Sequence, residues 1–257
     1  EFLFLEGDSF PSEDKQFSVY KEAAEAMGGK RTVIRTLDIG SDKQTPYFSL
    51  PKEENPALGM RGIRFCLANP DIFKTQLRAI YRASVFGKIA VLFPMITSVD
   101  EIFRIRKIIA QAQSELESRG IPFSKNVELG VMIETPSSAV ISDKLAKEAD
   151  FFSVGTNDLT QYALAADRQN QSLEAYCGSY LEPVLRLIKM AADNARQSGI
   201  RIGICGGLAA DLRLTETFLA MGINELSVPP ADILRLRKKI RETNAANSRT
   251  AALSLLL

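Results

Sequence analysis

The chain has 257 residues, 46% of them hydrophobic and 25% charged, with 32 basic side chains against 31 acidic ones. Charge so nearly cancelled gives no global field pointing to nucleic acid or an acidic membrane surface, so any anion site has to be a local arginine cluster. There is no histidine, which excludes Ser-His and Cys-His nucleophiles and imidazole zinc ligands within this chain and leaves acid–base work to carboxylates, lysine, tyrosine or a thiol.

The opening "EFLFLEGDSF" lacks the basic start of a signal peptide and reads as the end of a strand. A start without methionine and a finish in the helix-like "RTAALSLLL" read as a fragment of something longer. Ser12-Glu13-Asp14 opens a helix that Gly28-Gly29 closes. "RTVIRT" (31–36) is a strand ending at Arg35, where a charge emerging from a buried strand requires a partner. Residues 37–61 are the one long irregular excursion, rich in Pro, Gly and charge, and loops of that length tend to be functional. "RGIRFCL" (61–67) reads as a weaker strand, followed by a helix over 70–85. "KIAVLFP" (88–94) is a strand, and Ser98-Val99-Asp100-Glu101 opens the next helix with capping-box spacing. Further strands are "VELGVMIE" (127–134), "DFFSVGT" (150–156), "RIGICGG" (201–207) and "NELSVP" (224–229), with helices over 136–147, 158–166, 181–198, 210–221 and 230–243.

Several of these strands are apolar throughout, as expected of parallel strands covered on both faces. Repeated strand-then-helix units predict an α/β fold of the (β/α)8 TIM-barrel type, one domain over 1–257, with seven strands counted and the first one missing. No run approaches the ~18 apolar residues of a membrane span. Cys66, Cys177 and Cys205 are widely spaced and odd in number, so they form neither a disulfide framework nor a CxxC metal site, and a reducing, cytoplasmic setting is expected.

Barrel active sites lie at the C-terminal ends of the strands. Those ends carry Arg35, Glu134, Asn157-Asp158 and Cys205-Gly206-Gly207, and the loops add Arg61 and Arg168. Glu134 and Asp158 end consecutive strands, and two carboxylates with water and a substrate oxygen are the hard oxygen set that Mg²⁺ prefers. Singly, either acid reads as a solvated strand end. Arg35, Arg61 and Arg168 would suit a small polyanion through paired guanidinium hydrogen bonds, although Arg61 and Arg168 read equally well as surface ion-pair partners. Cys205 is either a small buried hydrophobe or a proton donor, since a thiol with a reference pKa of ~8.5 is mostly protonated near neutrality. Asn157, Gly155 and Gly206 could present an amide and backbone N–H groups to an anion. Lys43, in "GSDK", is a phosphate contact or a loop ion pair.

The stretches "RTLDIGSDK" (35–43), "PKEENPALGMRGIR" (51–64), "GVMIETPSSA" (130–139), "DFFSVGTNDLTQYALAADR" (150–168) and "GICGGLAAD" (203–211) together resemble the C-terminal phosphoenolpyruvate-binding barrel of enzyme I of the bacterial sugar phosphotransferase system. The resemblance runs along essentially the whole chain. It implies that Arg35 contacts the phosphoryl group, Arg61 orients the substrate, Glu134 and Asp158 hold Mg²⁺, Asn157 and Arg168 bind phosphate and carboxylate, and Cys205 protonates the methylene carbon of enolpyruvate. It further implies transfer of the phosphoryl group to a histidine on a separate N-terminal domain and then to the carrier protein HPr during sugar uptake, with pyruvate released, from a homodimer that needs neither nucleic acid nor membrane insertion. The wider superfamily leaves two alternatives: the barrel of a pyruvate phosphate dikinase or phosphoenolpyruvate synthase, or a phosphoenolpyruvate-binding and dimerisation module without catalysis. The chain departs from the family in three ways. The first strand with its phosphate-binding arginine is missing, the chain stops short of the last helix, and Gly207 stands where the family usually has Glu after Cys-Gly.

Overall fold

The computed structural model describes residues 2–5, 7–39, 47, 52–173, 175–176 and 181–244. Among the described residues, six strands are hydrogen-bonded side by side in chain order. They are β1 (Thr32–Arg35), β2 (Ile89–Phe93), β3 (Glu128–Ile133), β4 (Phe151–Gly155), β5 (Arg201–Cys205) and β6 (Glu225–Leu226). The β1–β2, β4–β5 and β5–β6 pairs are parallel, and helices fill the connections, which makes the fold α/β. The segment 61–67, expected as a strand, is instead helix α3 (Gly62–Ala68), and the opening residues Phe2–Leu5 are a helical turn, α1, not a strand end. A full eight-stranded barrel is therefore not what these residues contain. No described helix is long and apolar enough to cross a membrane.

The chain divides into two compact units, residues 1–95 with 99–130, and 96–98 with 131–257. In the first, α2 (Glu13–Ala26) starts where the Ser12 side chain accepts a hydrogen bond from Lys15 N at 3.2 Å. It stops at Gly28 and Gly29, whose φ of +55° and +81° only glycine adopts without cost. Helix α4 (Pro70–Ala83) buries Phe73, Leu77 and Ile80, one stripe at helical spacing. Phe73 meets Phe93 of β2 edge-on, ring centroids 6.3 Å apart. Truncating a buried phenylalanine of this kind costs about 3–5 kcal/mol. On the outer side of the α2–α4 contact, Glu13 accepts hydrogen bonds from Arg78 (2.6 Å) and Arg82 (2.7 Å). Helix α5 (Val99–Ser118) follows β2 with Asp100 and Glu101 in its first turn, favourably placed against the helix dipole.

The second unit explains why its strands are not uniformly apolar. Phe152 and Val154 of β4 and Ile202 and Ile204 of β5 are all at most 2% exposed. Helix α9 (Glu182–Gln197) packs on these two strands through a stripe of Val184, Ile188, Ala191 and Ala195. The alternate residues Ser153, Gly155, Gly203 and Cys205 face the other way and are small or polar. That second face carries the candidate chemistry. Helices α6 (Pro136–Val140), α7 (Ser142–Leu145), α8 (Thr156–Leu164), α10 (Thr215–Met221) and α11 (Ile233–Glu242) complete the connections.

Candidate functional site

In the first unit, Arg35 is the half-buried last residue of β1, and the chain continues as Thr36-Leu37-Asp38-Ile39, each buried. Asp38 sits opposite Arg61. The guanidinium donates from Nε to Oδ1 at 3.0 Å and from Nη2 to Oδ2 at 2.8 Å, with the two residues 8% and 4% exposed. Arg61 is thus neither a surface salt-bridge partner nor an unengaged substrate arm, because a buried carboxylate holds it in a two-pronged grip. Next to it, Gly62 has φ +55°, and a Cβ there would come within 2.8 Å of Met95 and 3.1 Å of Asp38 Oδ1, so only glycine lets the start of α3 approach this pair. The loop bearing Asp38 is itself anchored. Leu37 N donates to Gln76 Oε1 (3.0 Å), Gln76 Nε2 donates to the Tyr20 hydroxyl (3.3 Å), and that hydroxyl donates to Gln16 Oε1 (3.2 Å), all in the interior. Cys66 donates to Leu37 O at 3.7 Å. Burial, and then the neighbouring Asp38 carboxylate, push this thiol far above its ordinary range, so it is an inert core group. Lys43 and Cys177 lie outside the described residues.

In the second unit, Glu134 follows β3 directly and is 0% exposed. A Cβ on Gly155 would stand 2.6 Å from Glu134 Oε2, so glycine at the end of β4 is what leaves room for that carboxylate. Thr135 beside it donates from Oγ1 to Ile96 O (2.9 Å), accepts from Ser138 N (3.0 Å), and forms a capping box for α6, which fixes the backbone on the far side of Glu134. Asp158 lies in the first turn of α8, 6% exposed. Arg168 Nη1 reaches back to Asp158 Oδ2 at 3.4 Å. The reach is possible because α8 terminates at Ala165 in the left-handed conformation (φ 51°), and Arg168 N then donates to Gln161 Oε1 at 3.0 Å.

Cys205 ends β5, beside Gly155 of β4. Its carbonyl accepts from Thr156 Oγ1 at 3.0 Å. Gly206 follows with φ +95°, and a Cβ on it would lie 2.6 Å from Thr156 Oγ1 and 3.0 Å from Asn157 Oδ1. Gly207 N donates to Asn157 Oδ1 at 2.9 Å, which makes the Asn157 amide N–H₂ the end available to a ligand. Asn157, Arg168 and Gly207, with Thr156, Thr160 and Gln161, line one pocket of about 200 Å³. An exposed amide, a guanidinium and the N-terminal turn of a helix on one small cavity form an anion-binding arrangement.

A metal was expected between Glu134 and Asp158. Among the described residues no group of three or more carboxylate, thiol or imidazole ligands exists, so no all-protein metal cage is present there. Asp158, expected at a strand end, lies instead in the first turn of α8, because β4 ends at Gly155. With Glu134 after β3 it offers two carboxylates, the kind of donor set Mg²⁺ takes while water and phosphate oxygens complete its octahedron. Sequence reasoning missed Asp38 as the partner of Arg61 and Gln76 as the anchor of that loop. It also passed over Ser153, a hydroxyl inside an otherwise apolar run, which was the available signal.

The family model described as PEP-utilising enzyme, PEP-binding domain, matches residues 1–245. Curated relatives named phosphoenolpyruvate-protein phosphotransferase include those of Priestia megaterium (46% identical over 247 residues, 96% of this chain and 43% of the relative), Haemophilus influenzae (48% over 252 residues, 98% and 44%) and Buchnera aphidicola subsp. Schizaphis graminum (46% over 256 residues, 100% and 45%). The chain therefore spans less than half the length of these curated relatives. On the extent of both matches, the chain belongs to the phosphoenolpyruvate-utilising enzymes, of which it carries the phosphoenolpyruvate-binding domain.

Proposed function

We propose that this chain is the phosphoenolpyruvate-binding domain of a phosphoenolpyruvate-protein phosphotransferase, a partial (β/α)8 barrel that passes the phosphoryl group of phosphoenolpyruvate to a histidine on a separate N-terminal domain. From there it would move to the carrier protein HPr for sugar uptake, in a cytoplasmic, homodimeric enzyme. The reading leans most on the pocket where Asn157, Arg168 and Gly207 converge beside Asp158. It also draws on the absence of histidine, since the acceptor then has to come from elsewhere.

In this reading Asn157 and Arg168 bind oxygens of the substrate, and Arg35 and Lys43 add positive charge at the phosphoryl group. Arg61, held by Asp38, would help orient the substrate. Glu134 and Asp158 would hold Mg²⁺, which supplies positive charge against phosphate and enolate oxygens. As the bridging P–O bond breaks, its electron pair stays on the enolate oxygen and the phosphoryl group leaves for the external histidine. Cys205 then gives its Sγ proton to the methylene carbon, the carbonyl of pyruvate forms, and the thiolate recovers a proton from water.

Calorimetry with phosphoenolpyruvate and Mg²⁺ tests the binding half. Heat of binding that disappears in Glu134→Ala is expected, and no heat from the parent chain would refute the reading. Pyruvate release after adding an isolated histidine domain tests the transfer half. A second reading, a binding module without catalysis, is favoured by Gly207, which offers only its backbone N–H where the family usually has a carboxylate. Substrate binding without pyruvate release would select it.

A further inference from the structure

The sulfur of Cys205 is engaged from one neighbouring strand. The β4–β5 register sets Gly155 beside Cys205 and Ser153 beside Gly203, so Ser153 and Cys205 project from the same sheet face, two residues out of step. Ser153 Oγ donates to Cys205 Sγ at 3.3 Å, and the thiol donates to the Val154 carbonyl, also at 3.3 Å. Gly203 contributes no side chain at the level of Ser153. From the other side, Glu225 of β6 occupies that level, its Cβ 3.1 Å from where a Gly203 Cβ would be. The thiol proton is therefore directed to a main-chain oxygen, while a neutral hydroxyl points its own proton into the sulfur.

We propose that Ser153 is a positioning residue for Cys205. It holds the thiol in one rotamer and stabilises the charge that sulfur acquires when the proton leaves. This rests on the reading of Cys205 as proton donor. In that step the Sγ–H bond breaks and a C–H bond forms at the methylene carbon. The enolate electrons close the pyruvate carbonyl, and sulfur retains its pair as thiolate. The Ser153 hydrogen bond turns from neutral to charge-assisted in the same step, so it strengthens as the charge develops. A neutral imidazole in this place would take the thiol's proton before the substrate needs it, leaving a thiolate–imidazolium pair. A hydroxyl does not, and this chain has no histidine. The serine thus suits a thiol that must rest protonated and still release its proton quickly.

The test compares Ser153→Ala with Ser153→Thr, which keeps the hydroxyl, in the full chain supplied with a histidine domain. Alkylation of Cys205 by iodoacetamide at one fixed pH, followed peptide by peptide by mass spectrometry, reports the sulfur separately from Cys66 and Cys177. Loss of a hydrogen bond to a charged group is worth on the order of a tenfold change in rate. Ser153→Ala is therefore expected to slow alkylation and the kcat for pyruvate release by about that factor, with the KM for phosphoenolpyruvate unchanged, and Ser153→Thr is expected to recover both. Equal alkylation rates in parent and Ser153→Ala overturn the proposal, as does a loss that Ser153→Thr fails to rescue while circular dichroism reports a native fold. Slower alkylation combined with pyruvate release that neither Ser153→Ala nor Cys205→Ala alters overturns the proton-donor reading, and the catalytic role of Ser153 with it.

Discussion

Replacing Gly206 by alanine should damage the protein out of proportion to the single methyl group it adds. Two separate costs combine. The backbone at Gly206 has φ +95° and ψ −175°, a region essentially reserved for glycine, where a side chain costs on the order of 1–3 kcal/mol. The new Cβ would also sit 2.6 Å from Thr156 Oγ1 and 3.0 Å from Asn157 Oδ1. Neither oxygen can retreat cheaply. Thr156 Oγ1 donates to Cys205 O at 3.0 Å and accepts from Leu208 N at 3.4 Å, and Asn157 Oδ1 accepts from Gly207 N at 2.9 Å. Losing one of these bonds adds about 1 kcal/mol, so a total near 2–4 kcal/mol is expected. Urea denaturation followed by circular dichroism measures it. Gly207→Ala is the internal control. Its φ is not in the left-handed range, and its Cβ would meet only Asn157 Oδ1 at an ordinary 3.5 Å, so its effect should stay within about 0.5 kcal/mol, as for other surface substitutions. If the two alanine variants lose the same stability, the reasoning is wrong.

Asp38→Ala leaves the Arg61 guanidinium in the interior without its carboxylate, and removing one member of a buried pair costs about 3–5 kcal/mol. A midpoint in urea unchanged from the parent would show that Arg61 swings to solvent instead. Glu13 raises a pH prediction. Burial raises its pKa, but hydrogen bonds from Arg78 and Arg82 outweigh that and hold its carboxyl below the ordinary glutamate range. A depressed carboxyl contributes stability that is complete above the ordinary glutamate range and is lost as pH falls through the depressed value. Glu13→Gln should therefore flatten the decline of stability on acidification below about pH 4.5. Parallel acid titrations of the two proteins would count against this. Gly155→Ala drives a methyl to within 2.6 Å of Glu134 Oε2, so the affinity for phosphoenolpyruvate in the presence of Mg²⁺, read by calorimetry, should fall at least tenfold, about 1.4 kcal/mol. An affinity equal to the parent's would remove Glu134 from the site.

The strands of the second unit could be read from the sequence because Phe152, Val154, Ile202 and Ile204 are large, buried and uninterrupted by turn residues. The alternation beneath that run was harder to see. Gly155, Gly203 and Cys205 all pass for apolar, so the small-residue face looked like a second covered surface. The Ser12 and Gly28-Gly29 boundaries of α2 followed from local chemistry alone. "RGIRFCL" did not, because a short run containing Ile, Phe and Cys satisfies a strand as well as a helix. In the structure Ile63 and Cys66 fall three apart on the buried side of α3. Of the candidate site, the strand-end positions of Arg35, Glu134 and Cys205 were visible, since β1, β3 and β5 end where their apolar runs end. The Asp38–Arg61 pair was not, because 23 residues of chain separate its members and no spacing rule spans that distance.

The left-handed stop at Ala165 makes the connection after α8 a ruler. Ala165 and Ala166 both donate their N–H to Gln161 O, and Arg168 N donates to the side chain of the same glutamine. One residue thus measures out the whole turn to Arg168. An inserted residue would advance the chain by about 3.5 Å, more than any hydrogen bond here can stretch. Surface loops usually accept length changes, but this one should not, and libraries that vary loop length ought to find it closed to insertion even where its side chains are exposed.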